Sequence, residues 1–101
     1  MDLKATLDAD DPHLLASGEI YRAPVQPQQP PIVSDVVASD GRVSWFSLPA
    51  GNYEYRFHVG AGAGKFKISI LKSDESLTLA SDDFDTQYGY TGKVLAFSVQ
   101  Q

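Results

Sequence analysis

The side chains that could carry catalysis are two histidines and thirteen acidic residues, since the chain has no cysteine. A Ser–His–Asp triad needs a histidine within hydrogen-bond reach of both a nucleophile and a carboxylate. His13 follows Pro12 near a turn. His58 falls on the polar side of an alternating segment, where a surface pair with Glu54 or Arg56 is expected. Since no Gly-x-Ser-x-Gly elbow occurs either, the sequence predicts a protein that is not an enzyme.

A glycine-rich string, Gly60-Ala61-Gly62-Ala63-Gly64-Lys65, is the next candidate, because such loops can present backbone N–H groups to phosphate. A P-loop would need glycine in place of Val59 and serine or threonine in place of Phe66. A dinucleotide fingerprint would need a following helix, yet the following residues alternate as a strand. The string is therefore predicted to be a flexible hairpin tip, or a mobile contact loop. Its candidate contact residues are Gly60, Gly62 and Gly64.

Five acids without an intervening base lie between residues 74 and 85. Calcium takes six to eight oxygen ligands, and loops of β-sandwiches can supply them from clustered aspartates. The EF-hand spacing is absent, which favours solvated loop charge. A calcium site at Asp82, Asp83 and Asp85 stays open as the alternative, and no other cofactor is expected. Two lone histidines do not make a zinc site.

Aromatic residues offer the last candidate surface. Alternation puts Trp45 and Phe46 on opposite faces of a strand, so one of them should be partly exposed. Tyr88 and Tyr90 lie in a glycine-punctuated segment that favours a loop. Tyrosine supplies rigid contact area with a polar handle, so Trp45, Tyr88 and Tyr90 are predicted contact residues for a protein or a glycan. Tyr53 and Tyr55 share an apolar face and are expected in the core.

The elements that would position these residues are strands, because apolar and polar residues alternate along most of the chain. Six to eight short strands with one apolar face each predict an all-β fold, an antiparallel β-sandwich of immunoglobulin-like or jelly-roll type. The candidate strands are Leu3–Leu7, Gly18–Ala23, Ile32–Ala38, Arg42–Leu48, Asn52–Val59, Lys65–Ile70, Leu77–Ser81 and Lys93–Val99.

One short segment carries a resemblance. Leu48-Pro49-Ala50-Gly51-Asn52-Tyr53 resembles the tyrosine corner of immunoglobulin-like and fibronectin type III sandwiches. It also looks like the L-P-x-G-x-Y entry of many bacterial β-sandwich accessory modules. The resemblance implies that the Tyr53 hydroxyl bonds the backbone a few residues upstream, at a crossover between sheets. It implies a fold and no activity.

Proline and aromatic residues divide the chain unevenly. Residues 1–31 hold five of the six prolines and one aromatic, Tyr21. This pattern predicts an extended N-terminal arm, contributing one or two strands and ending in a Pro/Gln-rich linker at 24–31. Residues 32–101 are then the β-sandwich domain.

Charge limits the partners. The net charge of −5 argues against nucleic acid and anionic membrane surfaces. No apolar run approaches the roughly 20 residues that span a bilayer, and no signal peptide is evident, so a soluble protein of unknown compartment is expected. The expected function is a small structural subunit that assembles with itself or other protein chains, of the virion-surface, appendage or adhesion type. The alternative is a carbohydrate-binding module, assisted or not by calcium.

Overall fold

The computed structural model describes residues 1–100, and their regular structure is almost entirely β. A single 3-10 turn, Thr86–Tyr88, follows the seventh strand. Every predicted strand is present, several of them longer than expected. The eight strands are β1 (Asp2–Ala9), β2 (Leu15–Arg22), β3 (Val33–Ser39), β4 (Ser44–Ser47), β5 (Gly51–Ala61), β6 (Lys65–Lys72), β7 (Thr78–Asp85) and β8 (Lys93–Val99).

Two four-stranded antiparallel sheets pack face to face, which confirms the predicted β-sandwich. The first sheet has the order β4-β1-β6-β7, and the second has the order β3-β2-β5-β8. Only the β2–β3 and β6–β7 connections stay within a sheet, and the other connections cross between sheets. Each sheet therefore ends in two edge strands: β4 and β7 in the first, β3 and β8 in the second.

The core forms where the alternating apolar faces of the two sheets meet. Tyr53, Tyr55, Phe57 and Val59 are all buried along β5, as the alternation predicts. The ring of Phe57 stacks on that of Tyr55, with centroids 4.8 Å apart, and meets the ring of Phe84 edge-on at 5.0 Å. Strands from both sheets thus share one aromatic cluster, which fixes how β5 lies over β6 and β7.

The structure does not confirm an extended arm at residues 1–31, although this segment contributes two strands, as the prediction allowed. β1 lies between β4 and β6, and β2 lies between β3 and β5, so both are interior strands. Leu3, Ala5 and Leu7 are buried at alternate positions, and this burial ties the segment to the core. The prolines that suggested an arm sit in the connections instead.

The Pro/Gln-rich residues 24–31 contain no strand and join β2 to its neighbour β3. They fold back on themselves through Gln29. The side-chain amide of Gln29 donates to the carbonyl of Arg22 at 2.9 Å, and its oxygen accepts from the Gln26 N–H at 2.9 Å. The stretch is therefore a compact connection within one sheet.

The glycine-rich string is not a hairpin tip, because β5 and β6 belong to different sheets. It is a crossover fastened to its surroundings. The Ala63 N–H donates to the Asp11 carboxylate at 3.0 Å, and the Gly64 N–H donates to Thr86 Oγ1 at 2.8 Å. Gly62 has a φ of 78°, and a Cβ there would lie 2.4 Å from the Cα of Leu14. Glycine is required at this position by both conformation and space.

Candidate interaction surface

The predicted contact residues lie on two separate parts of the surface. Trp45 is 62% exposed on β4, while Tyr88 and Tyr90 follow β7, the opposite edge strand of the same sheet. The glycine-rich crossover lies beside the tyrosines, because the Val59 N–H donates to the Tyr90 carbonyl at 2.7 Å. The structure brings Tyr88, Tyr90 and the three glycines to one end of the sandwich and leaves Trp45 apart from them.

Trp45 stands on the outer face of the first sheet. Its strand partner Lys4 places Nζ 5.2 Å from the centroid of the indole ring and 3.2 Å from a carboxylate oxygen of Glu75. Phe46 packs against the core, so the prediction that one of this pair is exposed is confirmed. A cavity of about 350 Å³ adjoins the ring and is bordered by Asp2 and Ser73.

The acidic residues 82–85 belong to β7, so their placement in a loop was wrong. Alternation puts Asp82 on the opposite face of the strand from Asp83 and Asp85. Asp82 accepts from the Asp83 N–H at 2.8 Å, and Asp85 accepts from the Gln87 N–H at 2.9 Å. Over residues 1–100, no group of three or more histidine, aspartate or glutamate side chains is arranged to hold a metal ion. Calcium binding stays an alternative to be tested by titration at millimolar calcium.

A cavity of about 750 Å³ lies on the outer face of the second sheet. Ser17 and His58 are cross-strand partners there, and Asp35 lies at the same cavity. No side-chain hydrogen bond joins these three residues in the described part of the chain. The surface pair on this face forms between Glu54 and Arg56 at 2.9 Å and leaves His58 outside it.

Two of the four edge strands are closed to further pairing. β4 has only four residues. On β3, both the N–H and the carbonyl of Val37 bond to Ser44 Oγ, at 2.9 and 2.6 Å. The β3 backbone is also irregular, with a φ of 58° at Asp35 and a register shift opposite it in β2. Short strands, bulges and capped backbone groups are common ways of blocking an edge.

The C-terminal part of β7 is closed by its own acids. The Thr86 N–H donates to the Gly64 carbonyl, so alternation directs the backbone groups of Asp83 and Asp85 away from β6. The outward N–H of Asp83 donates to the Asp82 carboxylate, and Lys93 Nζ lies 3.4 Å from the outward carbonyl of Asp85. Three aspartates add a row of negative charge that repels an approaching edge of like charge.

β8 has none of these protections. It pairs with β5 over seven residues without a register shift, and its sequence holds one charge, Lys93, and neither proline nor glycine. Odd-numbered residues of β5 point their backbone groups toward β8, as the bond from the Val59 N–H to the Tyr90 carbonyl shows. Alternation therefore directs the N–H and carbonyl groups of Val94, Ala96 and Ser98 to the free edge.

Two cavities along the seam between β7 and β8 define a groove, with one cavity at each end. At one end, a cavity of about 480 Å³ is lined by Leu77, Leu79 and Phe97, and Leu77 is 51% exposed. At the other end, a cavity of about 570 Å³ is lined by Phe84 and Tyr88 together with two lysines and two aspartates. Asp82 lies on β7 between Leu79 and Phe84 and is exposed. The groove thus has two partly apolar ends, and the exposed Asp82 lies between them along β7.

Comparisons of the chain with protein-family models, curated proteins and solved structures found no match. No helix among residues 1–100 is both long enough and apolar enough to cross a membrane.

The candidate surface is the β8 edge with its groove. Of this surface, the sequence predicted only Tyr88 and the three aspartates. A run of seven residues with one charge was visible in the sequence, but its edge position depends on the strand order.

Proposed function

We propose that this protein is a non-catalytic interaction subunit that assembles with itself or with other protein chains by pairing a strand to the free edge of β8. Such a role is of the virion-surface, appendage or adhesion type expected from the sequence. One observation carries the proposal: β8 alone among the four edge strands offers an unblocked row of backbone groups.

Strand addition gains affinity from main-chain hydrogen bonds and specificity from pockets that take alternate side chains. The outward backbone groups of Val94, Ala96 and Ser98 can each donate and accept one bond to an added strand. The groove between β7 and β8 supplies the pockets on the core-facing side of that strand. Both requirements of this mode of recognition therefore occur side by side.

A peptide-display selection tests the proposal. Random peptides are selected on the wild-type chain, with Ala96→Pro as the counter-selection target. The Ala96 N–H points away from β5, so proline there removes an edge donor without breaking a ladder bond, as edge strands tolerate. We expect peptides that bind the wild type and not Ala96→Pro.

Two further variants keep the selection interpretable. Ala96→Lys blocks the edge by charge in case proline distorts β8, and His58→Lys places the same charge on an exposed position of the interior strand β5. All variants are first checked for an unchanged melting temperature. Peptides that bind every variant equally, or no enrichment together with a monomeric protein at all concentrations, would contradict the proposal.

A carbohydrate-binding role is the second candidate, and the 62% exposure of Trp45 favours it. Sugar rings stack on flat aromatic faces, and Lys4 and Asp2 lie beside the ring as polar groups. Trp45 is the only tryptophan, so its fluorescence reports docking directly. A glycan array with Trp45→Ala and Tyr90→Ala tests this role, and an array without signal contradicts it.

A further inference from the structure

Resting on the proposed function, we propose that the partner strand belongs to another protein and has a basic residue flanked two positions away on each side by apolar residues. Its basic side chain pairs with the Asp82 carboxylate, and its apolar side chains fill the two ends of the groove between β7 and β8. The pattern is apolar–x–basic–x–apolar, which is the same in both chain directions.

The spacing follows from strand geometry. A strand added to β8 directs every second side chain to the core-facing side, where the groove lies. Alternate side chains are about 6.8 Å apart, so three of them cover about 13.6 Å. Leu79 and Phe84, which mark the two ends of the groove, are five residues apart on β7, or about 17 Å. Three successive inward side chains therefore span most of the distance between the two ends.

Asp82 determines the middle position. It pairs in register with Ile68, whose side chain is fully buried, so Asp82 leaves β7 on the core-facing side. Its side chain is nevertheless exposed, and its Oδ1 accepts a hydrogen bond from the Asp83 N–H at the free edge of β7. A lysine or arginine on the added strand would meet the carboxylate there. The net charge of −5 further favours the approach of a basic segment.

The two ends of the groove favour apolar side chains. Leu77, Leu79 and Phe97 line one end, where no lining side chain is charged. At the other end, Lys65 and Lys93 balance Asp83 and Asp85, and the rings of Phe84 and Tyr88 supply the apolar surface. An aliphatic or aromatic side chain fits either end, since no unbalanced charge would be buried.

A second copy of this chain fits less well. Two-fold pairing of β8 with itself would bring the acidic edges of two β7 strands toward each other. The only cation of β8, Lys93, already lies near the Asp85 carbonyl of its own chain. Like charges that face each other across neighbouring strands are destabilising. The charge distribution therefore favours a basic strand from a different protein.

Fluorescence anisotropy with two labelled peptides tests the inference on the full chain. The first peptide is Thr-Val-Thr-Lys-Thr-Phe-Thr, and the second has glutamate in place of lysine. We expect the lysine peptide to bind the wild type roughly fivefold more tightly, the upper range for an exposed ion pair. Asp82→Asn should remove most of this preference, and Asp82→Lys should reverse it. Asp40→Lys, the same charge change in the exposed turn after β3, should preserve it.

The outcomes separate this inference from the proposed function. Equal binding of both peptides, abolished by Ala96→Pro, would overturn the basic pattern and support pairing at β8. A wild-type dimer that Ala96→Pro converts to a monomer would assign the edge to a second copy, again overturning only this inference. No binding of either peptide, together with an empty display selection, would overturn both. Reversal by Asp82→Lys but not by Asp40→Lys would support both.

Discussion

The hydroxyl of Tyr53 donates a 2.6 Å hydrogen bond to the carbonyl of Pro49, four residues upstream. This bond spans the crossover from β4 in the first sheet to β5 in the second. The guanidinium of Arg22 lies over the same ring, 5.4 Å from its centroid. The corner therefore ties β2, β5 and the crossover together, and it is the feature that the short sequence resemblance implied.

Tyr53→Phe should destabilise the protein by about 1–2 kcal/mol, because the Pro49 carbonyl loses its partner while the ring stays in the core. Urea denaturation monitored by Trp45 fluorescence measures the change. Tyr88→Phe is the matched control, since Tyr88 is 82% exposed and should stay within about 0.5 kcal/mol of the wild type. Equal stability of both variants would show that the corner bond contributes nothing.

Stability should fall in alkali because of Tyr55. Burial raises the pKa of Tyr55 above its ordinary value of 10, and its hydroxyl donates to the Val36 carbonyl at 2.7 Å. The unfolded chain ionises first, so the contribution is complete below pH 10 and is lost as the pH rises above it. The loss is about 1.4 kcal/mol per pH unit for this one group.

Tyr55→Phe separates the alkaline loss of stability caused by Tyr55 from that caused by the other tyrosines. The variant should be about 1–3 kcal/mol less stable at pH 8, because the buried Val36 carbonyl is left without its partner. Its stability should then fall less steeply between pH 10 and 11 than that of the wild type. Parallel curves from urea denaturation at each pH would show that Tyr55 does not titrate with unfolding.

Gly62→Ala should lower the free energy of unfolding by at least about 2 kcal/mol. The φ of 78° disfavours alanine, and its Cβ would lie 2.4 Å from the Cα of Leu14, so backbone must move. Gly41→Ala is the control, because a Cβ there has open space and the change should be near neutral. Comparison of the two melting temperatures checks the prediction, and equal values would contradict it.

Asp11→Asn should weaken the protein more at pH 7 than at pH 3. Hydrogen bonds from the backbone N–H groups of His13 and Ala63 hold the pKa of the Asp11 carboxyl below its usual value. A lowered pKa stabilises the folded state above the ordinary aspartate pKa, and this contribution is lost as the pH falls. Urea midpoints at both pH values test this, with Asp10→Asn as the control. A pH-independent difference would contradict the expected linkage.

Local pattern was sufficient to predict the strands and the core. Alternation at Tyr53, Tyr55 and Phe57 gave the buried face of β5, and the proline–glycine signals gave the corner before it. Pattern failed where pairing partners matter. The glycine-rich crossover has the composition of a hairpin, but β5 and β6 lie in different sheets and do not pair with each other.

The candidate site depended still more on topology. Asp83 and Asp85 were visible as charges, yet their effect comes from lying on an edge strand. The sequence does not reveal that the backbone of Ala96 lies at a free edge, because β8 has the same alternation as a half-buried interior strand. Composition also misplaced the N-terminal segment, since prolines at 24–31 say nothing about whether Leu3 and Ala5 are buried.

The interior positions of β1 and β2 have a consequence for how the chain reaches its folded state. β1 completes its pairing only once β6 has been made, at residue 72, and β2 completes its pairing only once β5 has been made, at residue 61. Chains dominated by such distant pairings fold on the order of milliseconds to seconds. β1 must therefore stay without its partners until β4 and β6 have been made, and β8 is the last of the eight strands to be made.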